Sequence, residues 1–262
     1  MGKHKRSAVR ALEHLVARGC DVRAVVAPPA PGDAAPAQRL DEAARRHGIA
    51  LASDDELYAA IEAPGVGPLD LADVDLVLSF LFWRRIRAPL IELGRLGCLN
   101  FHPAPLPDMR GLGGYNVAVL EGFEQWGVSA HFVDERFDTG DLVRVERFAI
   151  DRESETALSL YLRSQERLLE VFRWTIDRAL AGEPLPREPQ GEGRYVDRDE
   201  VEAMRRARPD DPAELTERRI RAFWYPPHAG ATLTVGGRDV TLVDRALLEQ
   251  AADANLRAGI VP

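Results

Sequence analysis

Two kinds of apolar spacing take turns along the first two-thirds of this 262-residue chain, and that alternation constrains its fold more than any other feature. Ala8, Ala11, Leu12, Leu15 and Val16 recur at helical spacing, with Gly19 as a stop signal. Val22–Val26 is a short β-branched run closed by Pro28 and Pro29, which reads as a buried strand. A Pro/Ala/Gly loop leads to a second helix near Gln38–His47. Asp73–Phe82 and Cys98–His102 read as central strands, and Pro89–Leu96 between them suits a short helix. This order predicts an α/β fold, a Rossmann-like and mostly parallel sheet with helices on both faces. A doubly wound sheet ordinarily opens with an apolar strand, yet helical spacing begins here within a few residues of Met1. The first β-strand is therefore either missing or encoded upstream of Met1.

Further along, Tyr115–Leu120 suits a helix, Val128–Val133 and Asp141–Ile150 alternate as strands, and Thr156–Leu180 carries the apolar stripe of a long amphipathic helix. The composition changes at Gly182, where GEPLPREPQGEGR is rich in Pro and Gly and predicts an extended linker. The expected organisation is a Rossmann-like catalytic domain over 1–181, a linker over 182–211 and a small C-terminal α+β module over 212–262. In that module Pro212–Trp224 should be helical and Thr232–Val243 a hairpin turned at Gly236-Gly237.

Charge narrows the partners. With 34 Lys and Arg against 42 Asp and Glu, the formal net charge of −8 argues against a surface that tracks a nucleic-acid backbone. No apolar run approaches the ~20 residues of a membrane helix. MGKHKRSAVR is basic but lacks the apolar segment of a secretory signal. Cys20 and Cys98 have no metal-ligand spacing and read as reduced thiols in a cytoplasmic protein. The histidines are scattered, so no metal is implied.

The chemistry concentrates between Leu99 and Asp141. Asn100 and His102 lie two residues apart at the end of a buried strand, so both side chains point to one face. In an open α/β sheet, ligands bind beyond the carboxyl ends of the strands. Pro103, Pro105 and Pro107 stiffen the loop that follows, and the glycines of RGLGG permit close backbone approach. Asp138 occupies a second loop, FDTGD, between two strands. An amide donor, an imidazole and a carboxylate converging on one crevice suit transfer of an acyl-level carbon. A dinucleotide-binding reading fails, because GLGG at 111–114 has the wrong spacing and follows the wrong element.

Asn100-Phe101-His102, Ala104-Pro105-Leu106-Pro107, Arg110-Gly111, Gly127-Val128-Ser129 and Asp138-Thr139-Gly140 together resemble the folate-dependent formyltransferase family. The resemblance implies that 10-formyltetrahydrofolate is the formyl donor, a co-substrate needing no metal. It also implies that Asn100 and His102 stabilise the developing oxyanion, while Asp138 keeps His102 protonated and moves the proton of the attacking amine. By position in the family pattern, Trp83, Arg84, Arg85 and Ile86 would border the folate, largely through backbone groups, opposite Arg136, Phe137 and Thr139. Pro105, Arg110, Gly113, Tyr115 and His131 are candidates for the acceptor side, although His131 suits a packed strand histidine equally well. The tail from Arg221 through Phe223-Trp224-Tyr225-Pro226-Pro227 to Gly230 looks like the C-terminal module of sugar N-formyltransferases. The expected acceptor is thus a small-molecule amine, a nucleotide-linked amino sugar before other amines, with methionyl-tRNA formylation and donor hydrolysis as alternatives. Trp224 and Tyr225 could pack on the main domain or on a second copy in a homodimer.

Overall fold

A computed structural model describes residues 1–29 and 35–257. The Pro/Ala/Gly loop before the second helix and the end of the C-terminal module fall partly on residues 30–34 and 258–262, outside the described residues. The chain forms two compact units: Met1–Arg110, Gly127–Arg147 and Ser164–Arg194 make the first, and Gly111–Trp126, Phe148–Arg163 and Tyr195–Pro262 the second. This division is interleaved, unlike the single boundary expected at 181: the chain leaves the first unit three times and returns to it twice.

The first unit opens with α1 (Arg6–Ala17), whose buried Ala8, Val9, Ala11 and Leu12 follow the helical spacing. Next come β1 (Val25–Val26), α2 (Leu40–Arg46), β2 (Leu51–Ala52), α3 (Asp54–Glu62), β3 (Leu76–Phe80) and β4 (Gly97–His102). α3 starts on a capping box: the Ser53 hydroxyl accepts from the Glu56 N–H and the Glu56 carboxylate accepts from the Ser53 N–H. Pairing is parallel between β1 and β2 and between β3 and β4. The expected helix at Pro89–Leu96 is reduced to a single 3₁₀ turn, Leu90–Glu92.

After β5 (Met109–Gly111) and α4 (Gly114–Glu121), β6 (Gln125–Phe132) returns beside β4 but antiparallel to it, and β7 (Leu142–Ala149) completes the order β3-β4-β6-β7. The sheet is mixed here because a parallel neighbour needs a crossover helix packed back onto the sheet. α4 packs instead on a later helix of the second unit, and its Asn116 side chain donates to the Ala222 carbonyl. α5 (Ala157–Leu180) follows, and its Phe172 ring meets Phe80 and Phe101 at centroid distances of 5.6 and 4.8 Å. No helix among the described residues is long and apolar enough to cross a membrane.

The α/β class holds, with two corrections. The segment 182–211 is not a plain extended linker, because it contains β8 (Arg194–Val196), α6 (Arg198–Arg205) and β9 (Arg206–Ala207). Asp197 caps α6 by accepting from the Glu200 N–H, and Asp199 and Glu200 add the acidic first turn that suits a helix start. The expected strand over Val22–Val26 shrinks to two residues, since only Val25 and Val26 find partners, in Leu51 and Ala52.

In the second unit α7 (Ala213–Phe223) matches the expected helix. The hairpin also follows expectation: β10 (Thr232–Val235) and β11 (Arg238–Thr241) pair with Val235 opposite Arg238. Gly236 and Gly237 form its turn at φ 57° and 80°, where residues with a Cβ are strained. Helix α8 (Arg245–Arg257) closes the described chain.

Candidate active site

The site grows from β4. Its residues Leu99 and Phe101 are fully buried, which turns Asn100 and His102 to the other face and places both at the carboxyl end of the strand. On one side Ser79 of β3 stands in register with Asn100, and on the other His131 of β6 does. The Ser79 hydroxyl donates to Asn100 Oδ1 at 2.7 Å, so the Asn100 amide nitrogen points away from β3. That nitrogen lies 3.1 Å from His131 Nε2 and 3.5 Å from Asp138 Oδ1. His131 Nδ1 is 2.7 Å from the Phe132 carbonyl, which only a protonated Nδ1 can satisfy. The network thus places a proton on His131 Nδ1 and leaves Nε2 to accept from Asn100.

Asp138 reaches this cluster from the loop between β6 and β7. Its backbone sits at φ 57°, in the left-handed region that Asp tolerates better than most residues. Two residues on, a Cβ at Gly140 would overlap the Phe132 carbonyl, so the loop requires glycine there. Asp138 Oδ1 stands 3.5 Å from His102 Nδ1 and 3.6 Å from His131 Nε2. One carboxylate oxygen therefore faces an amide and two imidazoles.

His102 has an acceptor on each ring nitrogen: the Met109 carbonyl lies 3.3 Å from Nε2, and Asp138 lies beside Nδ1. Only the doubly protonated ring satisfies both. Burial nevertheless pushes its pKa below the ordinary 6.5; Asp138 pulls it up, His131 pushes it down, and the Met109 hydrogen bond pulls it up. Ion-pair geometry and burial therefore pull in opposite directions, with burial the larger of the two. Burial thus works against the hold that Asp138 is expected to keep on the His102 proton.

Two serines hold this arrangement, Ser79, which the sequence did not single out, and Ser129 of the Gly127-Val128-Ser129 motif. Ser79 is the lone polar side chain within β3, a signal that was present but uninterpretable without register. Ser129, fully buried, donates to the Ala104 carbonyl and accepts from the Leu106 N–H, which pins the proline loop to β6.

The remaining candidates are spread out. Arg85 donates to the Glu135 carbonyl and lies over the Phe137 ring at 5.8 Å, joining the loop after β3 to the loop that carries Asp138. Trp83 and Phe137 are exposed aromatics, Arg84 is paired with Asp54, and the Ile86 side chain is buried in the apolar core. Arg110, Arg136 and Thr139 line one cavity of about 450 Å³ with Gln190, Gly191 and Glu192. Gln190 braces it, accepting from Arg110 and donating to the Gly140 carbonyl at 2.6 Å. Pro105 accepts at its carbonyl from the Met109 N–H. Gly113 and Tyr115 belong to the second unit, where Tyr115 joins a ring cluster with Trp126 and Tyr161. Tyr225 closes on Tyr161 in that cluster, at 5.1 Å between centroids.

Comparisons with known proteins point the same way as the cluster. A formyl transferase family profile matches residues 18–173. A GDP-perosamine N-formyltransferase from Brucella melitensis is 30% identical over 166 residues, 63% of this chain and 63% of its own length. A methionyl-tRNA formyltransferase from Myxococcus xanthus is 34% identical over 164 residues, 63% of this chain but 52% of its own. The chain thus spans less than two-thirds of the length of either relative. Among solved structures, an N-formyltransferase from Helicobacter canadensis, in complex with folinic acid and dTDP-3-aminofucose, superposes with a TM-score of 0.70. It is 18% identical and the match covers 90% of this chain and 83% of that one, a likeness of fold. Because the matched profile covers more than half of the residues, β4 and the Asp138 loop included, the chain belongs to the formyl transferase family.

Proposed function

We propose that this protein transfers a formyl group from 10-formyltetrahydrofolate to the primary amine of a nucleotide-linked amino sugar. The observation that carries the reading is the convergence of Asn100, His102 and His131 on a single carboxylate oxygen of Asp138. A bound donor supplies a formyl carbon at the acyl level of oxidation. The chain's own residues fit such a group: exposed Trp83 and Phe137 flank the two loops that Arg85 joins, offering apolar faces to a flat heterocycle.

Asn100 then stabilises negative charge on the formyl oxygen. Its amide nitrogen keeps the 3.1 Å bond to His131 and gives up only the long 3.5 Å contact to Asp138. Asp138 accepts the proton that the amine loses as the new C–N bond forms, and the leaving nitrogen takes a proton as the old C–N bond breaks. His102, with an acceptor beside each ring nitrogen, holds a proton transiently and restores the carboxylate. The cavity at Arg110 and Arg136 supplies cationic side chains for the diphosphate of the acceptor. The Brucella relative is a GDP-perosamine N-formyltransferase, and the Helicobacter structure holds folinic acid and dTDP-3-aminofucose. The Myxococcus relative favours a second reading, methionyl-tRNA formylation, which the net charge of −8 makes the weaker one.

The test is turnover of 10-formyltetrahydrofolate against GDP- and dTDP-linked amino sugars, free amino acids and methionyl-tRNA, with the product followed by mass. Formylation of a sugar nucleotide is expected, with Asp138→Asn losing most turnover while binding of 5-formyltetrahydrofolate survives by calorimetry. Arg110→Ala should raise the KM of the sugar nucleotide more than it lowers kcat. Release of formate with every amine ignored would replace transfer by hydrolysis, and full activity in Asp138→Asn would remove the carboxylate from the chemistry.

A further inference from the structure

The proposed reaction gives no role to one short segment of the first unit, residues 188–193, although this segment touches both loops of the site. Glu188 exchanges two backbone hydrogen bonds with Leu142, at 2.8 and 3.0 Å, and so lies antiparallel beside the start of β7. Gln190 then divides its side-chain amide between two partners. Its Oε1 accepts from Arg110 Nη2 at 2.9 Å and from Arg110 Nε at 3.3 Å, and its Nε2 donates to the Gly140 carbonyl at 2.6 Å. The Gly191 carbonyl takes a further bond from Arg110 Nη2 at 2.8 Å. Beyond it, a Cβ on Gly193 would overlap the Pro107 carbonyl, so only glycine lets the segment pass that close to the proline loop.

What Gln190 holds at Gly140 bears on Asp138. On its amino side the Asp138 loop is braced within itself, where Asp134 accepts from the Arg136 N–H and from the Thr139 hydroxyl. On its carboxyl side the Asp141 carbonyl accepts from the Phe132 N–H, and the Gly140 carbonyl accepts from Gln190. Asp138 lies between these two anchorages, and its carboxylate must stay within reach of Asn100, His102 and His131. A misplacement of about 1 Å at such a group can cost on the order of a hundredfold in rate. The same amide also orients Arg110, which with Arg136 brings positive charge to the neighbouring cavity. Turning the amide over would set its NH₂ against the guanidinium and its oxygen against the Gly140 carbonyl, so the two bonds are kept or lost together.

We propose that Gln190 is a positioning residue that joins anion binding in this cavity to the placement of Asp138. An anion of the diphosphate class that fixes Arg110 also fixes Gln190 and, through Gly140, the loop that carries the carboxylate. The choice of anion rests on the acceptor reading given above, but the first test needs no turnover.

Inorganic pyrophosphate serves as the probe, with binding followed by calorimetry and loop order by hydrogen exchange of the peptide covering 134–142. In the unaltered protein, pyrophosphate should bind and slow exchange in that peptide. In Gln190→Met it should bind no more than about tenfold more weakly, with the protection of 134–142 lost at saturation. Should that variant fail to fold, Gln190→Asn, too short to reach both partners, takes its place. Binding without protection in the unaltered protein overturns the proposal, and so does protection that survives in Gln190→Met. Loss of binding itself in the variant would reduce Gln190 to a support for Arg110, and no binding by the folded unaltered protein would remove the anion site altogether; either result overturns the proposal. In turnover, Gln190→Met should lose about five- to tenfold in kcat at saturating sugar nucleotide with the KM of the folate donor unchanged. Coupled protection without turnover of any sugar nucleotide would leave the inference standing and remove the acceptor. Sugar-nucleotide turnover with kcat unaltered in the variant would do the reverse.

Discussion

Ser79 fixes which way the Asn100 amide faces, and the proposed chemistry depends on that choice. Its hydroxyl is buried and donates to Asn100 Oδ1, leaving the amide nitrogen for His131 and the reacting oxygen. In Ser79→Ala the amide can turn over, presenting an acceptor where a donor is needed. Loss of one such hydrogen bond is worth about 1 kcal/mol, so kcat should fall about five- to tenfold with the KM for the donor nearly unchanged. An unaltered kcat would mean that the orientation is held by other contacts. By contrast, Asn100→Ala removes the donor itself and should cost 10²–10³ in kcat, about 3–4 kcal/mol. At this scale the sequence was informative where order and spacing carry meaning: Asn100 and His102 on one strand face, and Asp138 in a loop two strands later. It was silent on Ser79 and Gln190, whose partners lie 21 and 50 positions away in Asn100 and Gly140. It also left His131 undecided between packing and function, because only register across β4 and β6 places that ring beside Asn100. The downward pull of burial on His102 could not be read at all, since burial is a property of the folded chain.

Helix α5 holds the sheet that positions these residues, and Phe172 is its main anchor. The ring is buried against Phe80 of β3 and Phe101 of β4, the two strands whose ends carry Ser79, Asn100 and His102. Phe172→Ala should lower the unfolding free energy by about 3–5 kcal/mol, measured by urea denaturation, and Phe172→Leu by clearly less. A loss below 1 kcal/mol would show that the neighbouring cavity collapses around the smaller side chain. Elements with strong local signals, α1, α5, α7 and the Gly236-Gly237 hairpin, were legible to within a few residues. The segment after Gly182 was not, because its Pro- and Gly-rich start was extended past Asp197, where a capping residue and an acidic first turn begin α6. The strand at Val22–Val26 was read too long for a different reason. Strand length depends on partners, and only Val25 and Val26 face any.

For the molecule as a whole, two buried bases should make stability depend on pH well within the neutral range. The Met1 amine falls from an ordinary 8.0 to about 6 on folding, because loss of water outweighs the upward pull of Cys98 and Asp54. Below pH 8 the unfolded chain therefore takes up a proton that the folded chain refuses until pH 6, so stability must fall as pH falls through that window. Two units at about 1.36 kcal/mol each set a ceiling near 3 kcal/mol for the loss. His102 acts in the same direction and starts lower, because its folded pKa lies below the unfolded 6.5. Asp41 adds its part only under acid. Arg39 and Arg45 hold its carboxyl well below the ordinary 3.8, a contribution present above that value and lost as pH falls through the folded one. Urea unfolding at pH 8, 7 and 6 should thus give steadily falling free energies. Acetylation of the Met1 amine, which removes the titration, should flatten the curve between pH 8 and 7, where His102 contributes little. His102→Gln should leave that part unchanged and reduce the slope below pH 6.5. A flat profile from pH 8 to 6 in the unmodified chain would show that the amine reaches water, and would reopen the assignment of its bond to Leu78.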